Sequence, residues 1–259
     1  MPTILTPHGS VRPACASFDW DGTVSLIRGG WRDLMVTLFQ QTLPPGEPAA
    51  DAAWTADTID RLTGHPTERQ MEALAAETRR RGGQAITSAA LFEEYSGRLR
   101  AVIDARLAAL AAGKLAPDDL MVPGARAFLE AVRSRGVTLC VASGTDQTAV
   151  RREAELLGLT ALFAAGIHGA QADHPAHSKR EMLAALGWRG PAFVGFGDGI
   201  VETALVSALG GHAVGIVCDE SHPTQPDDRK RQVLIAAGAR TLATNYLSQD
   251  RLLAAVGLG

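Results

Sequence analysis

The sequence is short of cysteine, and the few cysteines that it has do not form a recognisable group. They are Cys15, Cys140 and Cys218. Each lies inside an apolar, strand-like run, and no CxxC motif or mixed histidine and cysteine ligand spacing connects them. This pattern disfavours a disulfide framework and a structural zinc site. We expect three buried, reduced thiols.

Long apolar runs and clusters of basic residues are also missing. No stretch reaches about 18 uninterrupted apolar residues, and residues 1–13 lack the basic and apolar regions of a secretion signal, so we expect a cytoplasmic protein. The net charge of −3, without a basic cluster, gives no electrostatic reason to expect nucleic acid or a membrane surface as a partner. We expect a small-molecule substrate, and the sequence leaves a monomer and a homodimer both open.

The amino-acid composition indicates a soluble globular protein, because 46% of the 259 residues are apolar and 20% are charged. After an irregular leader, residues 14–19 have the pattern of a buried strand. The next part of the chain has helical patterns only, and these cover residues 31–43, 57–62, 67–81 and 88–112.

From residue 123 onward, strand and helix patterns alternate. Such alternation predicts an α/β protein with a doubly wound, Rossmann-like parallel sheet. The predicted core comprises residues 1–24 and 119–259, and residues 25–118 form an inserted all-helical subdomain. The further strands of the core are predicted at residues 137–142, 162–167, 192–196, 213–218 and 239–243.

Two carboxylates, Asp19 and Asp21, follow the first predicted strand directly. In open α/β sheets, ligands bind beyond the carboxyl ends of the strands. The chain turns at this place, so the two carboxylates can face one bound group from different directions. We interpret the pair as a reaction centre, although an Asp-x-Asp-Gly sequence is also an ordinary turn.

Polar residues also end later strands of the alternating part of the chain. Ser143 and Gly144 precede a predicted helix, and a helix N-terminus with free amides can bind an anion. Lys179 lies near the start of another predicted helix. Asp198 and Glu202 follow the strand at residues 192–196, and their spacing of four puts them on one helix face.

The stretch Asp19-Trp20-Asp21-Gly22-Thr23 resembles the first motif, DxDGT, of the haloacid dehalogenase (HAD) superfamily. The resemblance implies that Asp19 is a nucleophile and a Mg²⁺ ligand. It makes Asp21 a general acid and base whose backbone carbonyl also binds the metal. The other residues to which it assigns roles are Trp20, Ser143, Gly144 and Lys179, which hold the phosphoryl group, and Asp198, a further Mg²⁺ ligand.

The last acidic motif departs from the family pattern. The family usually has GDxxxD, whereas this sequence has Glu202 at the last position. The longer side chain of Glu202 either reaches the Mg²⁺ directly or orients a metal-bound water. Both alternatives stay open at this point.

The position of the helical insert, just after the first motif, resembles the phosphoglycolate phosphatase and β-phosphoglucomutase-like subgroup, which carries an α-helical cap there. The resemblance implies a Mg²⁺-dependent phosphatase that hydrolyses a small phosphate monoester, most simply a sugar phosphate, through an aspartyl-phosphate intermediate. A sugar phosphomutase is the first alternative. A non-catalytic, phosphate-binding regulatory protein is the second.

Candidate specificity residues lie near the start of the predicted cap and in its third helix. Arginine and tryptophan suit anionic groups and sugar faces, but the tryptophan can equally pack in the cap core and the arginines can be solvated. Histidines in the loop before Lys179 are expected to be loop residues, since a Mg²⁺ site has no need of imidazole. The specificity candidates are Arg28, Trp31, Arg32, His65 and Gln70, and the loop histidines are His168, His174 and His177.

Overall fold

The computed structural model describes residues 2–63, 66–171 and 179–259. The chain forms two compact units. One unit, which we call the α/β unit, comprises Met1–Ile27 and Arg106–Gly259, and the other, the helical unit, is Arg28–Ala105.

The described residues contain ten α-helices, numbered here in chain order. None of these helices combines the length and the apolar character needed to cross a membrane. The helices are α1 (Trp31–Thr42), α2 (Pro48–Leu62), α3 (Thr67–Arg80), α4 (Ser88–Ala111), α5 (Ala125–Ser134), α6 (Gln147–Leu156), α7 (Lys179–Ala185), α8 (Ile200–Ala208), α9 (Asp228–Ala236) and α10 (Gln249–Ala255). The α4 helix contributes residues to both units, which is why the units divide at residue 106 while the sequence-based boundary lies at residue 119.

One seven-stranded sheet forms the centre of the α/β unit, counted over the part of the chain that the structure describes. Its strands are β1 (Thr3–Ile4), β2 (Cys15–Phe18), β3 (Thr138–Asp146), β4 (Ile167–Ala170), β5 (Phe193–Gly197), β6 (His212–Ile216) and β7 (Thr241–Ala243). Their order is β1-β7-β6-β5-β2-β3-β4, and only the β1–β7 pair is antiparallel.

This strand order determines which residues meet at the carboxyl ends of the central strands. The β2 strand lies between β3 and β5, with Phe18 opposite both Val141 and Phe196. The residues that follow these three parallel strands therefore meet at one edge of the sheet, as the doubly wound interpretation predicts. The mostly parallel α/β architecture expected from the sequence is confirmed.

Aromatic packing fixes the carboxyl end of β2 in the core of the α/β unit. The rings of Phe18 and Phe196 are stacked with centroids 4.4 Å apart, and Phe128 of α5 contacts both of them. All three side chains are buried, and each contributes about 1.5–3 kcal/mol from burial of apolar surface. The strand that precedes Asp19 is thus part of the rigid core.

The helical unit has a core of its own. Apolar residues at helical spacing on α1, including Met35 and Phe39, pack with Ile59, Leu74 and Leu91. All five are buried, so amphipathic helices with one apolar face account for this unit.

The predicted strand at residues 162–167 is wrong. Thr160–Leu162 forms a 3₁₀ turn, and the strand β4 begins only at Ile167. Leu162 and Phe163 are buried within the turn region. An apolar run signals burial but does not by itself distinguish a buried turn from a strand, which is the reason for the error.

Three smaller predictions also need correction. The α2 helix begins at Pro48, well before residue 57, because the Glu47 side chain caps it by accepting from the Ala50 amide at 2.8 Å. The leader is not wholly irregular, since Thr3–Ile4 pairs with β7. Among the three free cysteines, Cys15 is half-buried, while the other two are buried as expected.

Candidate active site

Asp19 follows β2 directly and lies in the interior of the α/β unit. Its backbone amide donates to the Phe196 carbonyl at 2.9 Å, which extends the strand pairing to the carboxylate. The residue is only 9% exposed. The Lys179 ammonium, at the first position of α7, donates to Asp19 Oδ1 at 2.8 Å and to Glu202 Oε2 at 3.1 Å. Three residues far apart in the sequence thus form one buried group.

Asp19, Asp198 and Glu202 form an acidic triad. One carboxylate oxygen from each lies within 4.8 Å of the others. Glu202 is held at the start of α8, where its Oε1 accepts from the Gly199 amide at 2.7 Å. Buried oxygen donors at this spacing fit a hard divalent cation such as Mg²⁺. Glu202 therefore stands among the residues that can bind a metal, at the position where the sequence left its role open.

A second lysine, Lys230 of α9, pairs with the acidic triad from another direction. Its ammonium donates to Asp198 Oδ2 at 2.6 Å and to Glu220 Oε1 at 3.0 Å. Neither Lys230 nor Glu220 was predicted from the sequence. Glu220 shortly follows β6, so the rule that selected Asp19 and Asp198 could have found it. Lys230 had no such signal, because a basic run at a helix start resembles a solvated surface.

Gly22 allows the loop after β2 to pass close to this group. Its φ is +69°, a value that favours glycine. A Cβ atom at this position would lie 2.2 Å from Asp198 Oδ2 and 3.1 Å from Glu220 Oε1. The loop therefore turns directly against the acidic residues, and only a residue without a side chain fits there.

Asp21 is oriented by the carboxyl end of β3. The Thr145 hydroxyl donates to Asp21 Oδ2 at 2.6 Å, and the Thr145 amide donates to Ser143 Oγ at 3.0 Å. Asp146 caps α6 by accepting from the amides of Thr148 and Ala149 at 2.9 and 3.1 Å. Two of the free amides at this helix N-terminus are therefore already satisfied. Ser143 is buried, at 7% exposure, whereas Gly144 is exposed.

Comparison with known proteins shows the family. The sequence model of haloacid dehalogenase-like hydrolases matches residues 14–208, which is most of the chain. This protein belongs to the haloacid dehalogenase-like hydrolases. The family predicted from the DxDGT stretch is thus confirmed. The search of curated proteins found no match to the sequence of this hydrolase.

Solved structures of the same fold are similar along nearly the whole chain. A HAD family hydrolase from Deinococcus radiodurans R1, solved with bound phosphate and sodium, has a TM-score of 0.64 and 17% identity, covering 95% of this chain and 97% of the other. A predicted phosphoglycolate phosphatase from Haemophilus somnus 129PT has a TM-score of 0.60 and 14% identity, covering 94% and 99%. A β-phosphoglucomutase from Clostridium difficile has a TM-score of 0.56 and 13% identity, covering 94% and 97%. At these identities the likeness concerns the fold.

Burial and charge shift the pKa values at the site of this hydrolase. Burial raises the pKa values of Asp19 and Asp198, although a lysine beside each acts in the opposite direction. Burial also acts to raise the pKa of Glu202, but the Lys179 charge prevails and lowers it. Burial acts to lower the pKa of Lys179, and the carboxylates of Asp19 and Glu202 prevail and raise it. Both buried lysines are therefore charged at neutral pH, because the pKa of Lys230 is raised in the same way by Asp198 and Glu220.

Trp20 anchors the loop between the two aspartates. The side chain is fully buried, and its Nε1 donates to Glu153 Oε2 of α6 at 2.8 Å. Its backbone carbonyl accepts from the amides of Val24 and Ser25, both at 2.9 Å. The indole ring thus holds the loop to the core of the α/β unit.

Three of the specificity candidates, Trp31, Arg32 and Gln70, have contacts inside the helical unit. Trp31 is partly buried against its core, and Arg32 pairs with Asp60 at 2.6 Å. Gln70 is buried and donates to the Ile59 carbonyl at 3.5 Å. Arg28 is the first residue of the unit. Their contribution to specificity stays a prediction.

The candidate histidines fall into two groups. His65, His174 and His177 lie outside the described residues. The expectation that His168 is a loop residue is wrong, because it lies on β4, paired with Ala142 of β3. Its Nε2 lies 2.8 Å from the Ala165 carbonyl, and it lines a pocket together with Ser143 and Lys179.

Proposed function

We propose that this protein is a Mg²⁺-dependent phosphatase that hydrolyses a small phosphorylated metabolite. The observation that supports the proposal is the buried Asp19 carboxylate, which is paired with Lys179 at 2.8 Å and lies in a triad with Asp198 and Glu202. A carboxylate nucleophile needs neighbouring positive charge and a fixed geometry, and this group provides both.

The proposed reaction proceeds in two displacements. Asp19 attacks the phosphorus atom to form an aspartyl phosphate, and the bond from phosphorus to the leaving oxygen breaks. Asp21 gives its proton to that oxygen, so the alcohol leaves uncharged. Asp21 then removes a proton from water, and the resulting attack at phosphorus releases inorganic phosphate and restores Asp19.

Four residues are proposed to bind the phosphoryl group: Trp20, Ser143, Gly144 and Lys179. The Lys179 ammonium offsets charge on the phosphoryl oxygens, and Ser143 Oγ donates to one of them. We assign the backbone amides of Trp20 and Gly144 the same task, because fixed donors stabilise charge that develops in the transition state. Thr145 keeps Asp21 in place through its 2.6 Å hydrogen bond.

Mg²⁺ is the proposed cofactor. Asp19, Asp198 and the backbone carbonyl of Asp21 hold it, and Glu202 either binds it directly or orients one of its waters. When bound, the cation supplies positive charge that offsets the phosphoryl oxygens. The oxygen-only donor set of the triad supports this assignment.

The proposed substrate is a sugar phosphate or a similar polyol monophosphate. A panel of such compounds, tested with the full-length protein and Mg²⁺, should identify a substrate that releases inorganic phosphate. EDTA should abolish this release, and Ca²⁺ should not restore it, because it is larger and takes more ligands. Full activity after exhaustive EDTA treatment would contradict the metal role. An isomeric sugar phosphate as the product, without free phosphate, would instead identify a mutase.

The specificity residues can be tested by kinetics. We expect Arg28→Ala and Trp31→Ala to lower kcat/KM for the best sugar phosphate far more than for p-nitrophenyl phosphate. Arg61→Ala, which changes an exposed residue of α2, is the matched control and should alter neither value. Equal losses on both substrates would remove Arg28 and Trp31 from the specificity determinants.

A further inference from the structure

Lys230 and Glu220 form a largely buried ion pair, and the proposed reaction assigns neither of them a step. The side chain of Lys230 is 18% exposed and that of Glu220 is 12% exposed. Lys230 contacts both Asp198 and Glu220, at 2.6 and 3.0 Å. Buried charges cost free energy unless they are paired, and breaking such a pair is strongly destabilising. A pair of this kind beside a metal ligand therefore invites a functional explanation.

The local structure holds the pair firmly. The Asp227 amide donates to the Val217 carbonyl at 2.7 Å, which folds the loop after β6 back on itself. Asp227 then caps α9 by accepting from the Arg229 amide at 2.9 Å. These contacts fix Lys230 in the first turn of α9, with Glu220 in the loop opposite.

The charges of the site indicate what the pair does. The carboxylates of Asp19, Asp198, Glu202 and Glu220 contact Lys179 or Lys230. Asp21 and Arg106 also interact electrostatically with Glu220. Lys230 contacts both Asp198 of the acidic triad and Glu220, so its ammonium lies between them. Without Glu220, the Lys230 ammonium would still contact Asp198 but would repel a cation bound there.

We propose that Glu220 sets the affinity of the acidic triad for Mg²⁺ by offsetting the charge of Lys230, which in turn positions Asp198. Lys230 donates to Oδ2 of Asp198 and so restricts the orientation of this carboxylate. Both residues are positioning residues, because they act through Asp198. The inference rests on the proposed function only for the presence of the metal.

If the Lys230–Glu220 pair had a purely structural role, substitutions in it would affect the site differently. If the pair only held α9 in place, its complete removal would harm the site at least as much as the loss of Glu220 alone. If Glu220 offsets an ammonium charge, the loss of Lys230 should compensate for the loss of Glu220. Removing Lys230 in addition to Glu220 should therefore improve the site if Glu220 offsets a charge, and should not improve it if the pair is purely structural.

The test measures the binding of Mg²⁺ alone to the full chain, by calorimetry and by thermal shift, without substrate. We expect Glu220→Gln to weaken binding about 10- to 100-fold, the usual effect of losing a residue that orients a metal ligand. The double variant Glu220→Gln with Lys230→Met should return to within about threefold of the wild type. Glu130→Gln, which removes the same charge from an exposed position on α5, should leave the affinity unchanged.

Several outcomes would overturn the inference. Equal Mg²⁺ affinities of the wild type and Glu220→Gln would overturn this inference without affecting the proposed function. A double variant that binds Mg²⁺ no better than Glu220→Gln would do the same. If Glu220→Gln does not fold, the double variant is compared directly with the wild type. A Mg²⁺ affinity of the double variant that is about tenfold or more below that of the wild type would contradict the proposal. A wild-type protein that binds no Mg²⁺ would overturn both this inference and the proposed metal requirement, while turnover in the substrate panel tests the proposed function separately.

Discussion

The helical unit and the α/β unit each contain a network of ion pairs, and the two networks differ in charge. In the helical unit, Glu77 accepts from Arg80 at 2.6 Å and from Arg81 at 2.7 Å, and Arg81 also pairs with Asp51. Two acids thus face two arginines. In the α/β unit, four acids contact two lysines, and all six side chains are largely buried.

The pKa values show the same difference. In the helical unit, the hydrogen bond from Arg80 lowers the pKa of Glu77 to about 2. In the α/β unit, burial raises the pKa values of Asp19 and Asp198 despite their lysine partners. Matched pairs of this kind are common in the structural part of a protein, whereas carboxylates with raised pKa values are typical of functional sites. Substitutions in the two networks should therefore affect different properties.

The largest effect is expected at Asp19, in the network of the α/β unit. Asp19→Asn removes the nucleophile with almost no change of shape, so we expect phosphate release to fall by at least about 10⁴-fold while the circular dichroism spectrum is unchanged. Mass spectrometry should exclude deamidation back to aspartate. A folded Asp19→Asn protein that keeps a few per cent of the wild-type kcat would refute the assignment.

Asp21 should show an effect that depends on the leaving group. Asp21→Asn still accepts the Thr145 hydrogen bond but carries no acidic proton. We expect alkyl phosphates to lose about 10²–10⁴ in rate, and aryl phosphates less, because an aryl leaving group needs less protonation. The measurement is the rate of the first displacement in single-turnover experiments, where equal losses on both substrate classes would argue against a role as acid.

Glu202 should show a smaller effect. Glu202→Asp restores the residue that is commoner in the family at this position, and it keeps the negative charge. If Glu202 orients a metal-bound water, activity should remain within about tenfold of the wild type. Steady-state kinetics with saturating Mg²⁺ provide the measurement, and a much larger loss would indicate direct binding to the metal.

The smallest effect is expected for Glu77, in the matched network. Its pKa is lowered from 4.5 to about 2, so its contribution to stability is present above pH 4.5 and is lost as the pH falls towards 2. Glu77→Gln lacks this contribution at every pH. The melting temperatures of the wild type and Glu77→Gln should therefore differ at pH 7 and converge near pH 2.

The size of that difference should be small. The Arg80 side chain is 71% exposed, and solvent weakens ion pairs of this kind. The activity of Glu77→Gln at pH 7 should match that of the wild type. A difference in melting temperature that widens below pH 4.5 would contradict the sign of the pKa shift.

Local sequence patterns were sufficient to predict most of the fold. Strand and helix periodicity, with glycine and proline at the ends, predicted the alternating architecture and the helical insert. Such patterns failed where burial did not require a strand, as at Leu162 and Phe163. They also failed for β1, which is too short to show a period and depends on pairing with β7.

Asp19 and Asp198 could be proposed from the sequence because each follows a strand, where short-range rules apply, and Lys179 was assigned by the resemblance to the family. The strand order that brings them together was decided by the tertiary structure, which places β2 between β3 and β5. The contact of Lys230 with Asp198, 32 positions away, was decided there too. A buried charge is stabilised by its nearest opposite charge in space, and the local sequence around a lysine at a helix start does not specify which carboxylate that will be.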